Sequence, residues 1–476
     1  MSAALIWIIL PAGLAVILFA FQKWEKIVIL IGTLASLTLA WFAWTEPIGE
    51  TWVLGTIRLE LVDIWVVLGR RFVITPSDTP VLILIYLGLA FWFGGTIIAR
   101  PSPYFISIGL AIAALLTAAI AVEPFLYAAL LLELVTILSI PLLSPPGQPA
   151  GQGALRFLTF QTLAIPFILF SGWILAGIGA GPAESELIVQ GNILLAFGFA
   201  LLLGVFPFHT WVPMIAEEAH PFIAAFIFYI YSLGITFLGI EFLERYAWLR
   251  NSEGLFNLLQ VAGTVVVIVS GLWAAFQNHL GRLLGFAILM ETGLSLLTVS
   301  LGAGEGGLFI ALEILFTSLL PRGLAFGTWA LALATLAGSR NGKFSSSLKL
   351  NHLKGEGRKY PIAIGILIMA ILSVVGLPLL AGFPVRIALW EALAQKSGLA
   401  AAVALLGSIG LMTGALRSLA ILISAGEDPR WAISEKLGNV VMLVIGGLAI
   451  VILGIFPQWF LPALARLTQV YFGILP

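Results

Sequence analysis

Cysteine is absent from this chain, which excludes disulfides, thiolate-held zinc and iron–sulfur clusters. Any electron carrier must therefore sit on another polypeptide or use other ligands. Histidine is scarce, with 4 residues in 476, so a haem-rich protein is not expected. Charge is low as well. Only 10% of residues are Asp, Glu, Lys or Arg, whereas a soluble domain uses about 25% to cover its surface. Lys+Arg and Asp+Glu are both 23, so no electrostatic field favours nucleic acid. No phosphate loop ending in Lys-Ser or Lys-Thr, no HExxH sequence and no Gly-x-Ser-x-Gly elbow between a strand and a helix occurs.

What is present is apolar. Hydrophobic residues make up 61% of the chain, and the mean hydropathy is +1.10. A membrane-spanning helix needs about 20 mainly apolar residues. Such runs predict an all-α integral membrane protein of about fourteen helices, near 3–21, 27–44, 80–98, 104–121, 123–143, 156–179, 191–207, 221–243, 255–276, 283–301, 306–337, 360–383, 398–424 and 437–457. The first run, Ala3 to Phe21, precedes Lys23 and Lys26 and has no basic region before it, which reads as a retained helix rather than a signal peptide. Glu50 to Ser77 alternates polar and branched residues, as in Thr56-Ile57-Arg58-Leu59-Glu60-Leu61, and predicts extramembrane strands or a hairpin.

Basic residues fall unequally when loops are assigned alternately to two sides. One side takes Lys23, Lys26, Arg100, Arg156, Arg340, Lys343, Lys349, Lys354, Arg358, Lys359, Arg430 and Lys436. That side is expected to be cytoplasmic, with both termini on the outer side of the inner (cytoplasmic) membrane. Tryptophans near run ends, such as Trp7, Trp24, Trp41, Trp44 and Trp459, fit interfacial anchoring.

Two apolar runs are interrupted by proline at corresponding places. Pro207 lies in Phe206-Pro207-Phe208-His209, and Pro378 lies in Gly376-Leu377-Pro378. Matched breaks in two halves suggest inverted-repeat transporters, where freed backbone groups line an ion site. Ordinary proline kinks explain them equally well. Ionisable side chains within apolar runs cost at least ~2.5–3.5 kcal/mol on insertion scales, so each is expected to be partnered, hydrated or functional. Those in the second half are Arg282, Glu291, Glu313, Arg322, Arg386, Glu391 and Arg417.

The stretch from Phe206 to Ala225, FPFHTWVPMIAEEAHPFIAA, resembles the signature of the antiporter-type membrane subunits of NADH–quinone oxidoreductase and of the multisubunit (Mrp-type) cation/proton antiporters, through Pro207, Phe208, His209, Trp211, Pro213, Glu218 and Ala219. Gln277 to Gly293 is similar to a second family segment, with Gly281 in place of its lysine and Ala287 and Ile288 in place of its serines. Val375 to Arg386 resembles the family's Gly-Leu-Pro-Pro, Gly-Phe and basic ending, and Glu133 stands where the fifth helix places a glutamate.

The resemblance implies two inverted five-helix repeats, at 104–243 and 255–424. Flanking regions are then 1–103, with the hairpin near 50–77, and 425–476. It also implies a proton- or cation-moving subunit that works with other membrane subunits, takes H+ or Na+ as its ion, holds no cofactor and meets quinone only indirectly. The ion-translocation candidates are Glu133, His209, Glu218, Glu291, Glu313, Arg322 and Arg386.

Departures from the pattern matter as much. Leu202 and Ser232 occupy positions where the family has lysine, Glu313 falls on its histidine and Thr317 on a further lysine. Arginine almost never deprotonates, so Arg386 can tune a carboxylate but cannot relay a proton. Glu133 is then a protonated remnant, a carrier partnered by a group such as His209, or a contact to another subunit. In the second half the open readings are pairs that fix helix packing through Glu291 or Glu313, and a polar half-channel through Glu313 and Arg386. A non-pumping spacer subunit and a free-standing transporter are the rival functions.

Overall fold

The computed structural model describes residues 2–45, 48, 51–54, 57–60, 63–67, 69–145, 147, 149–176, 185–304, 306–338, 347–424 and 434–471. Apolar sequence that can satisfy its own backbone only as helix dominates it. The N-terminal helices are α1 (Leu10–Ala20), which continues a turn from Leu5, and α2 (Glu25–Thr45). Two short hairpins follow, β1 (Thr51–Leu54) with β2 (Ile57–Glu60) and β3 (Ile64–Val67) with β4 (Arg70–Val73). Both hairpins fall within the segment 50–77, of which residues 50, 55, 56, 61, 62 and 68 lie outside the described residues. A two-residue β5 (Val122–Glu123) joins β4, so Arg71 faces Glu123 across the ladder at 3.6 Å.

The bundle continues with α3 (Thr79–Ala99), α4 (Phe105–Ala121), α5 (Tyr127–Leu143), α6 (Gln152–Ala176), α7 (Ser185–Leu203), α8 (Trp211–Glu218), α9 (Pro221–Arg245) and the single turn α10 (Ala247–Arg250). Then come α11 (Glu253–Ala275), α12 (Leu280–Ser300), α13 (Gly307–Gly338), α14 (Pro361–Val375), α15 (Phe383–Lys396), α16 (Gly398–Ile423), α17 (Leu437–Ile455) and α18 (Leu461–Tyr471). Among the described residues ten helices are long and apolar enough to cross a membrane, with four shorter apolar helices beside them. The expectation of about fourteen spans counts all of these as crossing.

The sequence reading of 360–383 as one helix is corrected. α14 stops at Val375, where Gly376 adopts φ 90°, and α15 is a separate helix. The sequence placed no helix over 384–397, because Arg386, Glu391 and Lys396 interrupt its apolar pattern. α8 was likewise hidden by its length.

The core lies along α9 and α12, the two most enclosed spans. An aromatic cluster of Trp92, Phe105, Phe222 and Phe226 locks α3 and α4 onto α9, with Trp92 and Phe222 centroids 4.8 Å apart. Offset and edge-on contacts of this kind add about 0.5–1.5 kcal/mol beyond burial. By contrast α2 and α17 leave Leu34, Trp41, Trp44, Ile445 and Leu448 exposed, as a lipid-facing helix does.

Histidine nitrogens begin two helices. His220 Nδ1 accepts from the Phe222 amide at the start of α9, and His279 Nδ1 accepts from the Gly281 amide at the start of α12. Each satisfies an amide that the first helical turn leaves without a partner. Gly281 is glycine for a spatial reason: a Cβ there would run into the Ala216 carbonyl of α8. Gly285, one turn on, would put its Cβ 2.7 Å from Pro213 Cα. Any side chain at 281 is incompatible with this approach of α12 to α8.

Candidate functional site

The charged centre is assembled in the second half from three elements. α12 supplies Glu291, α13 supplies Arg322, and α15 supplies Arg386. Arg322 Nε lies 3.1 Å from Glu291 Oε2, and Arg386 Nη2 donates to Glu291 Oε1. The three side chains are 11%, 8% and 8% exposed. Arg322 Nη2 also donates to Ser295 Oγ at 2.9 Å and to Ser318 Oγ at 3.4 Å.

The helix break is what brings Arg386 in. α14 ends with carbonyls that have no helical amide to accept from. Arg386 Nη2 donates to one of them, Val374 O, at 2.6 Å. Gly376 turns the chain away with a left-handed φ of 90°, and a Cβ there would meet Arg386 Cβ at 2.9 Å. Both the conformation and the space require glycine. Pro378 lies in this turn, ahead of Leu379, which also has positive φ.

Two small cavities meet at this centre. One of about 40 Å³ is lined by Arg322, Arg386, Ser318, Ser373 and Thr298 beside Glu291. The other, about 20 Å³, reaches the first half through Tyr229 and Ser232 of α9 and is also lined by Thr292 of α12. Glu291 and Arg322 line both. Each cavity is large enough for water, which needs about 10–15 Å³ on this measure.

The first half has a neutral network instead. Tyr231 Oη donates to Gln161 Oε1 at 2.9 Å and lies 2.9 Å from Thr136 Oγ1, while Gln161 Nε2 donates to the Leu202 carbonyl at 3.3 Å. Leu202 is itself buried, and its carbonyl closes this uncharged chain. Ser232 opens on the smaller cavity. Glu133 Oε1 accepts from Thr162 Oγ1 at 2.5 Å, and its Oε2 is buried without a hydrogen-bond partner among the described residues.

The remaining candidates lie apart. Glu133 meets Thr162 rather than His209, and His209 stacks on Phe206 with centroids 5.6 Å apart. Pro207 lies between α7 and α8, after Gly204 with φ 64°. Glu218 Oε2 accepts the Gly153 amide at 2.8 Å and so caps the start of α6. Glu217 lies 3.4 Å from Arg282. Glu313 lines neither cavity, and its carboxylate has no partner among the described residues. Arg386 is thus joined to Glu291 and not to Glu313, which removes the direct link in the half-channel reading. Arg417 bonds the Asn278 side chain at 2.6 Å. Among the described residues no group of three or more His, Asp or Glu side chains could hold a metal ion.

Sequence reasoning missed Gln161, Tyr231 and Thr136, which are ordinary residues in a membrane helix until they are juxtaposed. It also missed Ser295, Ser318 and Ser373. The one available signal was their polarity within apolar runs.

A family model described as NADH:quinone oxidoreductase/Mrp antiporter, TM, matches residues 162–412, a stretch that includes both helix breaks and the charged centre. The chain is 26% identical over 330 residues to NADH-quinone oxidoreductase subunit N of Nitrosomonas europaea, covering 65% of each chain. The match spans just under two thirds of that relative's length. Among solved structures, the chain resembles one in the membrane-bound sulfane sulfur reductase, an archaeal respiratory membrane complex, with a TM-score of 0.81 at 17% identity, covering 98% of this chain and 97% of that one. It also resembles a chain of the Mrp complex from Dietzia sp. DQ12-45-1b, with a TM-score of 0.77 at 16% identity and the same coverage. At these identities the structural likeness establishes the fold.

Proposed function

The chain belongs to the NADH:quinone oxidoreductase/Mrp antiporter transmembrane family, and from that membership we propose that it is an antiporter-like subunit of a multi-subunit membrane complex, taking part in proton or cation movement coupled to redox chemistry on other subunits. The observation that carries this reading is Glu291, held between two arginines at a helix break where two cavities meet.

A carboxylate that loses a neighbouring cation binds a proton more readily, and one that regains it releases the proton. Arginine itself does not deprotonate. Glu291 is then the exchanging group, and Arg386, on a helix separated from α14 by Gly376 and Leu379, is the partner able to move. Two five-helix units, 104–243 and 255–424, are supported by the paired helix breaks, between α7 and α8 in the first and between α14 and α15 in the second. The lysine-rich connections favour a cytoplasmic-membrane location with both termini outside.

The test is proton transport per electron in the reconstituted complex. Glu291→Gln and Arg386→Ala are each expected to lower it at least tenfold. Unchanged stoichiometry in both variants would refute the proposal. A second reading, a non-pumping spacer, is favoured by the neutral network at Leu202. It predicts that Leu202→Lys leaves proton uptake unchanged, whereas a silenced first-half path predicts a steep rise.

A further inference from the structure

The centre around Glu291 does not balance its charge. Counted formally, Arg322 and Arg386 bring two positive charges and Glu291 one negative, and no second carboxylate lines either cavity. An uncompensated charge in low dielectric costs several kcal/mol even after relaxation. Hydrogen-bond donors are in excess as well. Arg386 uses Nη2 on Glu291 and on Val374 O, while its Nε and Nη1 have no acceptor among the described residues. Ser373 Oγ accepts from the Gly382 amide at 3.2 Å, and its own proton has no acceptor among them either. Ser373 is 1% exposed. These unspent donors line the cavity of about 40 Å³.

We propose that this cavity is a binding site for a small monovalent anion of halide size, held by the guanidiniums of Arg322 and Arg386 and by the Ser373 hydroxyl. Water fills such a space and accepts from the donors, but it leaves the excess charge in place. An anion does both. The volume admits a halide with a water or two, given about 10–15 Å³ per water, and excludes a polyhydroxy carboxylate. A second cation is rejected by the two guanidiniums. The site depends on the arrangement around Glu291 and not on proton movement.

Thermal unfolding of the full chain in lipid nanodiscs tests this, with sodium chloride or bromide replacing sodium gluconate at constant ionic strength. The midpoint temperature is expected to rise saturably with chloride and bromide. Arg386→Gln removes the excess charge and should abolish that dependence, and Ser373→Ala should raise the half-saturating halide concentration several-fold. Glu291→Gln doubles the excess charge and should lower it at least tenfold. Identical unfolding of the unsubstituted chain in halide and gluconate overturns the proposal, as does weaker halide binding in Glu291→Gln. If Arg386→Gln does not fold, Ser373→Ala and Glu291→Gln still decide. None of these readouts involves proton transport, so this site and the proposed function stand or fall separately.

Discussion

Arg386 and Glu291 stand 95 residues apart in sequence and meet in the bundle interior, where the same guanidinium nitrogen also holds the Val374 carbonyl. One side chain thus joins α12 and the end of α14 to α15.

That arrangement ranks two substitutions. Arg386→Leu leaves Glu291 paired with Arg322 while it loses the bonds from Arg386 to Glu291 and to Val374, at about 1–3 kcal/mol. Glu291→Leu leaves two guanidiniums without a counter-charge, which costs about 3–5 kcal/mol for a broken buried pair. Apparent melting temperatures in detergent should fall more for Glu291→Leu, and the reverse order would contradict the charge count.

Helices α11 and α16 touch through glycine. A Cβ on Gly271 would come within 2.6 Å of Gly407 Cα, backbone that has nowhere to yield. Gly271→Val should therefore destabilise the chain by about 1–3 kcal/mol, read as lower thermal stability. Gly13→Val serves as the comparison, since a Cβ there meets nothing within 4 Å.

His220, in the link between α8 and α9, carries a pH dependence. Its Nε2 lies 3.0 Å from Ala99 O, which can only accept, and its Nδ1 faces the Phe222 amide, which can only donate. The neutral Nε2–H tautomer is the one that fits. Burial pushes the imidazole down from 6.5 to about 4, against a smaller opposing effect of the Ala99 bond. The unfolded chain then binds the extra proton first, so this stabilisation is complete above pH 6.5 and declines as pH falls towards 4. His220→Phe should flatten the stability profile over that window and lower stability at neutral pH by about 1 kcal/mol through the lost cap. A profile as steep as the unsubstituted chain's would exclude His220 as its source.

Because the sequence has no cysteine, single cysteines report topology directly. Lys354→Cys is expected to react with a membrane-impermeant maleimide only from the cytoplasmic side, and Arg250→Cys only from the outer side. Labelling with the sides exchanged would invert the proposed orientation.

Much of the fold was legible because lipid leaves little choice. An apolar run must close its own hydrogen bonds, so α3, α9, α11 and α16 could be placed from hydropathy alone. α15 escaped, since Arg386, Glu391 and Lys396 give a 14-residue helix the appearance of a loop. Of the candidate site, residue types were readable and partners were not. Glu291 and both arginines were visible as charges in apolar surroundings. Glu218 also looked like an ion-site residue, yet its carboxylate caps α6.

The sequence by itself determined the solvent, the helical class and the family, because composition, run length and the motif from Pro207 to Ala219 are local properties of the chain. It also determined that Leu202 and Ser232 carry no charge. Only the tertiary structure decided that Arg386 serves Glu291 and leaves Glu313 aside, and that Gln161 and Tyr231 close the first half with a neutral network. Pairing energy depends on distance and dielectric, and both are set by helices that the chain brings together from far apart.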